Sequence, residues 1–396
     1  MRQLGLYTAF KYVEFGVSAL LTILLAARVS AEEYGAAAIF FVAVTYLQFS
    51  SFGVNQVLVK WYATRKDEEG GLVSINLMFW TTLLVSLLIL VVSVFTGSLM
   101  FFYTAAVASL KLLYEAFVNI FRVTEKLQRI NMLSFLFSLL FLSATYLFAF
   151  SVQSYFLGWL GALAVSIACG LFLLPSKVLR LRLFLDNVRL VPLFLGDGVM
   201  MLMISFVTLS LTTFDRGILN LVQVSKAYVG SVQLVDTITN GVTLSVTSVM
   251  FVLLPRFYII MRNAEVQLNK LYLRSMGAVV LFLVLLLGGF FVVLPWLSPF
   301  VSKYPNFSWH FSLQLVAKAI LLLTTIPYAF MVVNSRELLY FCIYAIWACL
   351  TLLAYLVLAY MVPDKTSIPF YLNSTLLVAS VLLNLHLYWV MKKVYR

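Results

Sequence analysis

Residues 99–122, LMFFYTAAVASLKLLYEAFVNIFR, decide the fold of this chain. The run is long enough to cross a bilayer, because about 20 mostly apolar residues span the hydrocarbon as a helix. It also places Thr104, Ala108, Lys111, Glu115, Asn119 and Arg122 at steps of three and four, on one helical face. A charged side chain is costly in lipid, so such a stripe faces other helices or water. Lys111 and Glu115 stand one turn apart. An internal ion pair and a functional site are equally good readings of them.

Similar apolar runs recur near 8–28, 36–59, 73–95, 131–151, 154–174, 190–212, 229–254, 271–294, 311–333, 338–361 and 369–391. With 99–121 they give about twelve spans of membrane length. Hydrophobic residues make up 63% of the chain and charged residues 11%, which excludes a water-soluble fold. Continuous runs of this length are helices rather than barrel strands, so the fold is all-α and polytopic. The run from Tyr7 to Ala27 carries Lys11 and Glu14 and is long for a cleaved signal; it reads as the first span.

The basic residues set the orientation. Of the 27 Lys and Arg, only Arg28, Arg216, Lys226, Lys303 and Lys365 fall in loops on one side, and Lys111 and Lys318 lie within spans. The rest cluster on the side of both termini. Positive loops stay cytoplasmic, so both termini are expected in the cytoplasm of a cell whose inner (plasma) membrane holds the chain. The net charge of +12 then faces anionic membrane lipid, and nothing points to nucleic acid.

The chain divides in its middle. Segment 175–189, PSKVLRLRLFLDNVR, alternates basic and apolar residues and reads as a cytoplasmic amphipathic linker lying on lipid headgroups. It separates an N-terminal six-helix lobe, 1–174, from a C-terminal six-helix lobe, 190–396. The halves echo each other: Gly35 opens span 2 and Lys60 follows it, as Gly230 opens span 8 and Arg256 follows it. Two such bundles with a site between them are a common transporter plan.

Polar stripes mark the inner faces. Span 1 has Glu14, Ser18 and Thr22; span 2 has Thr45, Gln48 and Asn55; span 7 has Asp197, Thr208, Thr212 and Asp215; span 8 has Gln233, Asp236 and Asn240; span 10 has Gln314 and Lys318. With span 4, these are helices 1, 2 and 4 and their counterparts 7, 8 and 10. They are expected to line a central wet cavity. Lys111, Lys318, Arg122, Glu14, Gln48, Asn55 and Asn240 are the candidate substrate-cavity residues. Lys318 has no acid one turn away and is expected to face that cavity; Asp236 is a candidate partner for it or for Lys111. Asp197, Glu115 and Asp236 are the candidate coupling acids. Asp197 sits between Gly196 and Gly198, after Pro192, where a loosened helix suits an ion site.

Chemistry for catalysis is missing from the pattern. Cys169, Cys342 and Cys349 all lie in apolar spans and form no disulfide framework or metal cluster. His310 and His386 lie near span ends without ligands at metal spacing and read as interfacial. No phosphate-binding Gly-rich loop and no nucleophile elbow is present. Glu32 and Glu33 form an acid pair on a loop too short to hold a sugar pocket. No catalytic residue, metal or cofactor is assigned, and transport fits better than enzyme chemistry.

Two regions resemble a known family. Lys11-Tyr-Val-Glu-Phe-Gly16, Glu32-Glu-Tyr-Gly35, Phe52-Gly-Val-Asn-Gln56, Phe214-Asp-Arg-Gly-Ile-Leu219 and Leu254-Pro-Arg256 are similar to segments of bacterial polysaccharide flippases. These are the Wzx-type O-antigen and capsule repeat-unit exporters of the multidrug/oligosaccharidyl-lipid/polysaccharide superfamily. Ser30-Ala31 departs from the Gly-Pro turn frequent there. The resemblance implies alternating access and an undecaprenyl-diphosphate-linked oligosaccharide moved from the cytoplasmic to the periplasmic leaflet. It implies coupling to H+ or Na+, and association with a polysaccharide polymerase and a chain-length regulator. A cation-coupled drug antiporter of the same superfamily is the alternative, expected to favour acids over lysines in its cavity. An integral-membrane polymerase or glycosyltransferase is the third reading, and would need a large outer loop.

Overall fold

A computed structural model describes residues 2–64, 68–243, 265–334 and 336–395. Every regular element among them is helical. In chain order the helices are α1 (Arg2–Arg28), α2 (Ala31–Leu47), α3 (Val54–Thr64), α4 (Glu68–Val94), α5 (Leu99–Val123), α6 (Leu127–Phe148), α7 (Val152–Leu173), α8 (Leu181–Asn187), α9 (Val191–Leu221), α10 (226–243), α11 (Glu265–Val301), α12 (Phe307–Leu322), α13 (Thr325–Val333), α14 (Glu337–Met361) and α15 (Ile368–Tyr395). Ten spans among the described residues are long and apolar enough to cross a membrane. The chain is an all-α polytopic membrane protein.

Packing follows membrane rather than soluble logic. On α4 the exposed face is Leu84, Leu87, Leu88 and Val91, while Ser74, Thr82, Ser86 and Ser93 are buried. Lipid is as apolar as leucine, so close backbone approach and hydrogen bonds hold helices together instead of hydrophobic burial. Ser86 and Ser109 show this: each hydroxyl donates to the other's carbonyl at 3.1 Å, joining α4 to α5. Arg28, at the end of α1, donates to the carbonyls of Thr145 (3.0 Å), Tyr146 (2.9 Å) and Ala149 (3.2 Å). It thereby satisfies the open C-terminal end of α6, which a helix cannot pair internally.

Two runs expected to be continuous are broken. The 36–59 run divides where Phe52 (φ 51°) and Gly53 (φ 74°) turn left-handed between a short 3-10 helix and α3. Gly53 packs on Gly198 so closely that a Cβ on either would strike the other's backbone. The 311–333 run divides between α12 and α13 at Leu323 and Thr324.

The chain forms two compact units. One is Met1–Val29 with Ile39–Phe206; the other is Ser30–Ala38 with Val207–Arg396. The first is built on Leu21, Leu25, Phe117, Phe121, Phe141 and Phe156, all nearly inaccessible. Its 175–189 segment is held to α4 by Asn76, whose amide donates to the carbonyls of Val178 (2.7 Å) and Arg180 (3.1 Å). Phe184 of α8 is buried there, while Leu181, Leu185 and Val188 are exposed. The second unit is built on Tyr34, Phe330, Tyr344 and Tyr355, and also on Arg216. In it the N-terminal end of α2 crosses α10 at Gly35 and Gly230, where a Cβ at Gly35 would overlap the Lys226 carbonyl.

Candidate functional site

Among the described residues, a dense polar constellation lies inside the second unit, on α9, α10 and α12. α9 runs past the expected span end at 212 and carries Asp215 and Arg216 into the core, 3% and 1% exposed. Arg216 is therefore a buried helical residue and not the outer-loop cation its sequence position implied. Its guanidinium pairs with the Asp236 carboxylate and donates to the Thr212 carbonyl at 2.8 Å and to Gln233 Oε1 at 3.4 Å. Its Nε lies 3.4 Å from Asp215 Oδ1, which also accepts from the Arg216 backbone N–H at 2.8 Å.

Lys318 enters from α12. Its ammonium donates to Asp236 Oδ1 at 2.6 Å, Thr239 Oγ1 at 2.7 Å and the Asp236 carbonyl at 3.2 Å. Three N–H groups thus meet three acceptors. The expected water-filled cavity is replaced by a partner on another helix, as the sequence left open for Asp236. Asn240 completes the carboxylate's shell, donating to Oδ2 at 2.9 Å. Two cations face two anions, so the network is neutral overall. An isolated charge at this depth would cost several kcal/mol; pairing plus hydrogen bonds removes most of that. Asp215 Oδ2 is buried without a hydrogen-bond donor among the described residues.

The first unit holds a second polar group. Glu14 of α1 is buried, and with Glu115 it lies near the Tyr114 hydroxyl, which donates to Ser134 Oγ at 3.4 Å. Lys111 stands at the middle of α5 and is half-buried. Glu115, one turn on from Lys111, is half-buried as well. Arg122 is half-buried in the last turn of α5, where a cation complements the helix dipole. Gln48 lies in the 3-10 turn and Asn55 in α3. The Gln48 Nε2 and Asn55 Oδ1 atoms are buried without hydrogen-bond partners among the described residues. Asp197 is in α9, and its side chain lies outside the described residues.

His310 lies in the first turn of α12. It is buried there, and its Nδ1 meets the Asn373 amide of α15 at 2.9 Å. His386 accepts from the Trp347 indole at 3.1 Å.

No family model and no curated protein matches the chain. Solved structures do. An inward-facing MATE family multidrug resistance transporter of the MOP superfamily is similar with a TM-score of 0.71, covering 96% of this chain and 95% of that one at 13% identity. The fold is that of the MATE transporters. The MATE transporter ClbM in complex with Rb+ gives a TM-score of 0.59 at 12% identity, over 96% of this chain and 93% of ClbM. A MOP superfamily transporter from Pyrococcus furiosus, reported with a binding pocket of reverse polarity suggesting a different function, gives 0.56 at 12% identity over 100% and 96%. At these identities the MATE likeness establishes the fold, and the cargo must be argued from residues.

Proposed function

We propose that this chain is an alternating-access transporter that flips an anionic, lipid-linked oligosaccharide from the cytoplasmic to the outer leaflet. The observation that carries this is Lys111, a half-buried cation at the middle of a membrane span. A diphosphate crossing hydrocarbon needs such a group, since an unpaired anion there costs several kcal/mol. Asp236, by contrast, is neutralised by Arg216 and Lys318 and is a poor receptor for a cationic drug. The sequence similarity to polysaccharide flippases supports the same cargo, undecaprenyl-diphosphate-linked, for O-antigen or capsule synthesis. Under this reading the two six-helix halves, 1–174 and 190–396, alternate access, both termini are cytoplasmic in the inner membrane, and a polymerase consumes the product.

Coupling to H+ or Na+ falls on Asp215 before Asp236, because the Asp215 Oδ2 atom is buried and open to a proton or small cation. Asp197 and Glu115 remain candidates.

A second reading is a cation-coupled drug antiporter. The MATE neighbours fit it at least as well as they fit lipid-linked oligosaccharide flipping. Glu14 and Glu115 near Tyr114 are the acids it would use. Deleting the gene separates the two. The flippase reading expects lost surface polysaccharide and lipid-linked saccharide held on the cytoplasmic side. Unchanged polysaccharide with new sensitivity to cationic drugs would favour the antiporter.

A further inference from the structure

We propose that the recess between the turn at 302–306 and the loop at 362–367 is a saccharide subsite on the non-cytoplasmic face. It is a cavity of about 280 Å³ lined by Asn306, Trp309, Thr366, Ser367, Phe370 and Tyr371, all within the second unit. The orientation follows the basic-residue count, which puts both connections opposite the termini. The proposal rests on the lipid-linked oligosaccharide reading, and names where the sugar docks as it emerges.

The lining has the chemistry that sugars select. Trp309 is 64% exposed, Tyr371 42% and Phe370 40%, so aromatic faces are open beside the recess. A sugar ring presents a face of C–H groups that packs on such rings and a rim of hydroxyls that needs neutral polar partners. Asn306 and the two hydroxyl residues supply those partners. Asn306 holds a left-handed conformation (φ 53°) at the start of α12, and its side chain makes no capping bond, so its amide is not spent on the helix. Thr366 and Ser367 donate their hydroxyls to Asp364, which leaves their oxygens as acceptors.

The loop is ordered before any ligand arrives. Asp364 accepts from the Thr366 backbone at 3.0 Å and from the Thr366 hydroxyl at 2.8 and 2.9 Å, and its carbonyl accepts from Ser367 at 2.8 Å. A pre-set rim lowers the ordering cost of binding. Tryptophan and tyrosine also collect at membrane interfaces as anchors. An anchor of that kind needs the polar edge of the ring, which phenylalanine lacks. Stacking on sugar needs an aromatic face.

That difference is the test. The probe is the water-soluble saccharide released by mild acid from the lipid-linked pool of the source cells. Saturation-transfer NMR reads its contact with the detergent-solubilised full chain. Wild type should give transfer to sugar C–H protons. Trp309→Leu and Tyr371→Leu should each cut it by at least about fivefold, and Trp309→Phe should keep most of it. Wild-type transfer in both leucine variants, or none in the wild type, would overturn the subsite. A parallel assay in proteoliposomes follows the intact lipid-linked saccharide. If the wild type moves it while the leucine variants bind sugar normally, the subsite fails and the transport reading stands. If the wild type does not move it, the transport reading fails and takes the subsite's role with it.

Discussion

Replacing Lys318 by methionine removes one of four charges from a buried, neutral network. Asp236 would then face Arg216 alone, and with Asp215 the network would carry one net negative charge. Replacing Asp236 by asparagine leaves Arg216 and Lys318 with only Asp215, one net positive charge. Breaking one side of a buried pair costs about 3–5 kcal/mol, because the other charge is left uncompensated. Ordinary hydrogen bonds between membrane helices contribute only about 0.6–1.7 kcal/mol, so loss of the Thr239 and Asn240 contacts cannot reach that size. The double variant Asp236→Asn/Lys318→Met restores neutrality, with Arg216 beside Asp215. It should lie within about 1–2 kcal/mol of wild type, well above either single variant. Reversible unfolding in mixed micelles, titrated with a denaturing detergent, measures all four proteins. Two small single effects, or a double effect equal to their sum, would refute the charge-network account.

Four shorter predictions follow. Gly35→Ala should destabilise by about 1–3 kcal/mol or more, because its new Cβ meets backbone of α10, while Gly277→Ala, with nothing within 4 Å, should be harmless in the same unfolding assay. Arg28→Gln should cost about 1.5–3 kcal/mol by freeing the α6 carbonyls, and Arg28→Lys should recover only part, since one ammonium cannot reach all three. Cysteine at Lys365 should label with impermeant maleimide in intact cells and cysteine at Lys177 should not, in a background lacking Cys169, Cys342 and Cys349; the reverse pattern would invert the orientation. Hydrogen bonds from Thr366 hold the Asp364 carboxyl below the usual aspartate range, so their contribution to loop order is present above about pH 3.9 and is lost as pH falls through the lowered value; NMR titration of Thr366→Val should move Asp364 upward.

The architecture was largely legible because a membrane span announces itself by length. The runs at 99–121, 338–361 and 369–391 match α5, α14 and α15 to within a few residues at either end. Interruptions were harder. Each break had a nearby signal: Gly53 at the first, and at the second Pro327 in the first turn of α13, which has no N–H to offer the Leu323 carbonyl and so stops α12 from running on. The site was half legible. Polarity at helical spacing found Asp236, Asn240 and Lys318, yet a stripe shows a face and not what lies opposite it. Arg216 was missed because a cation just past an apolar run looks like a loop residue. The steps Thr208, Thr212, Arg216 and Asn220 carried the continuation, and hydrogen bonds from Arg216 to Thr212 and from Asn220 to Arg216 follow them. The burial of His310 against α15 was likewise not legible, because nearness to a span end says little about packing against a neighbouring helix.

The central claim concerns cargo, and transport by the purified chain tests it most directly. Proteoliposomes carry the chain, a fluorescent lipid-linked saccharide in one leaflet, and an imposed proton or sodium gradient. The account predicts that wild type exposes the saccharide to a reagent on the opposite face, and that Lys111→Met slows this by about tenfold, the rate equivalent of about 1.4 kcal/mol. Asp215→Asn should remove the dependence on the gradient. Gradient-driven movement of ethidium with no movement of the saccharide lipid would contradict the account and assign the chain to cationic cargo.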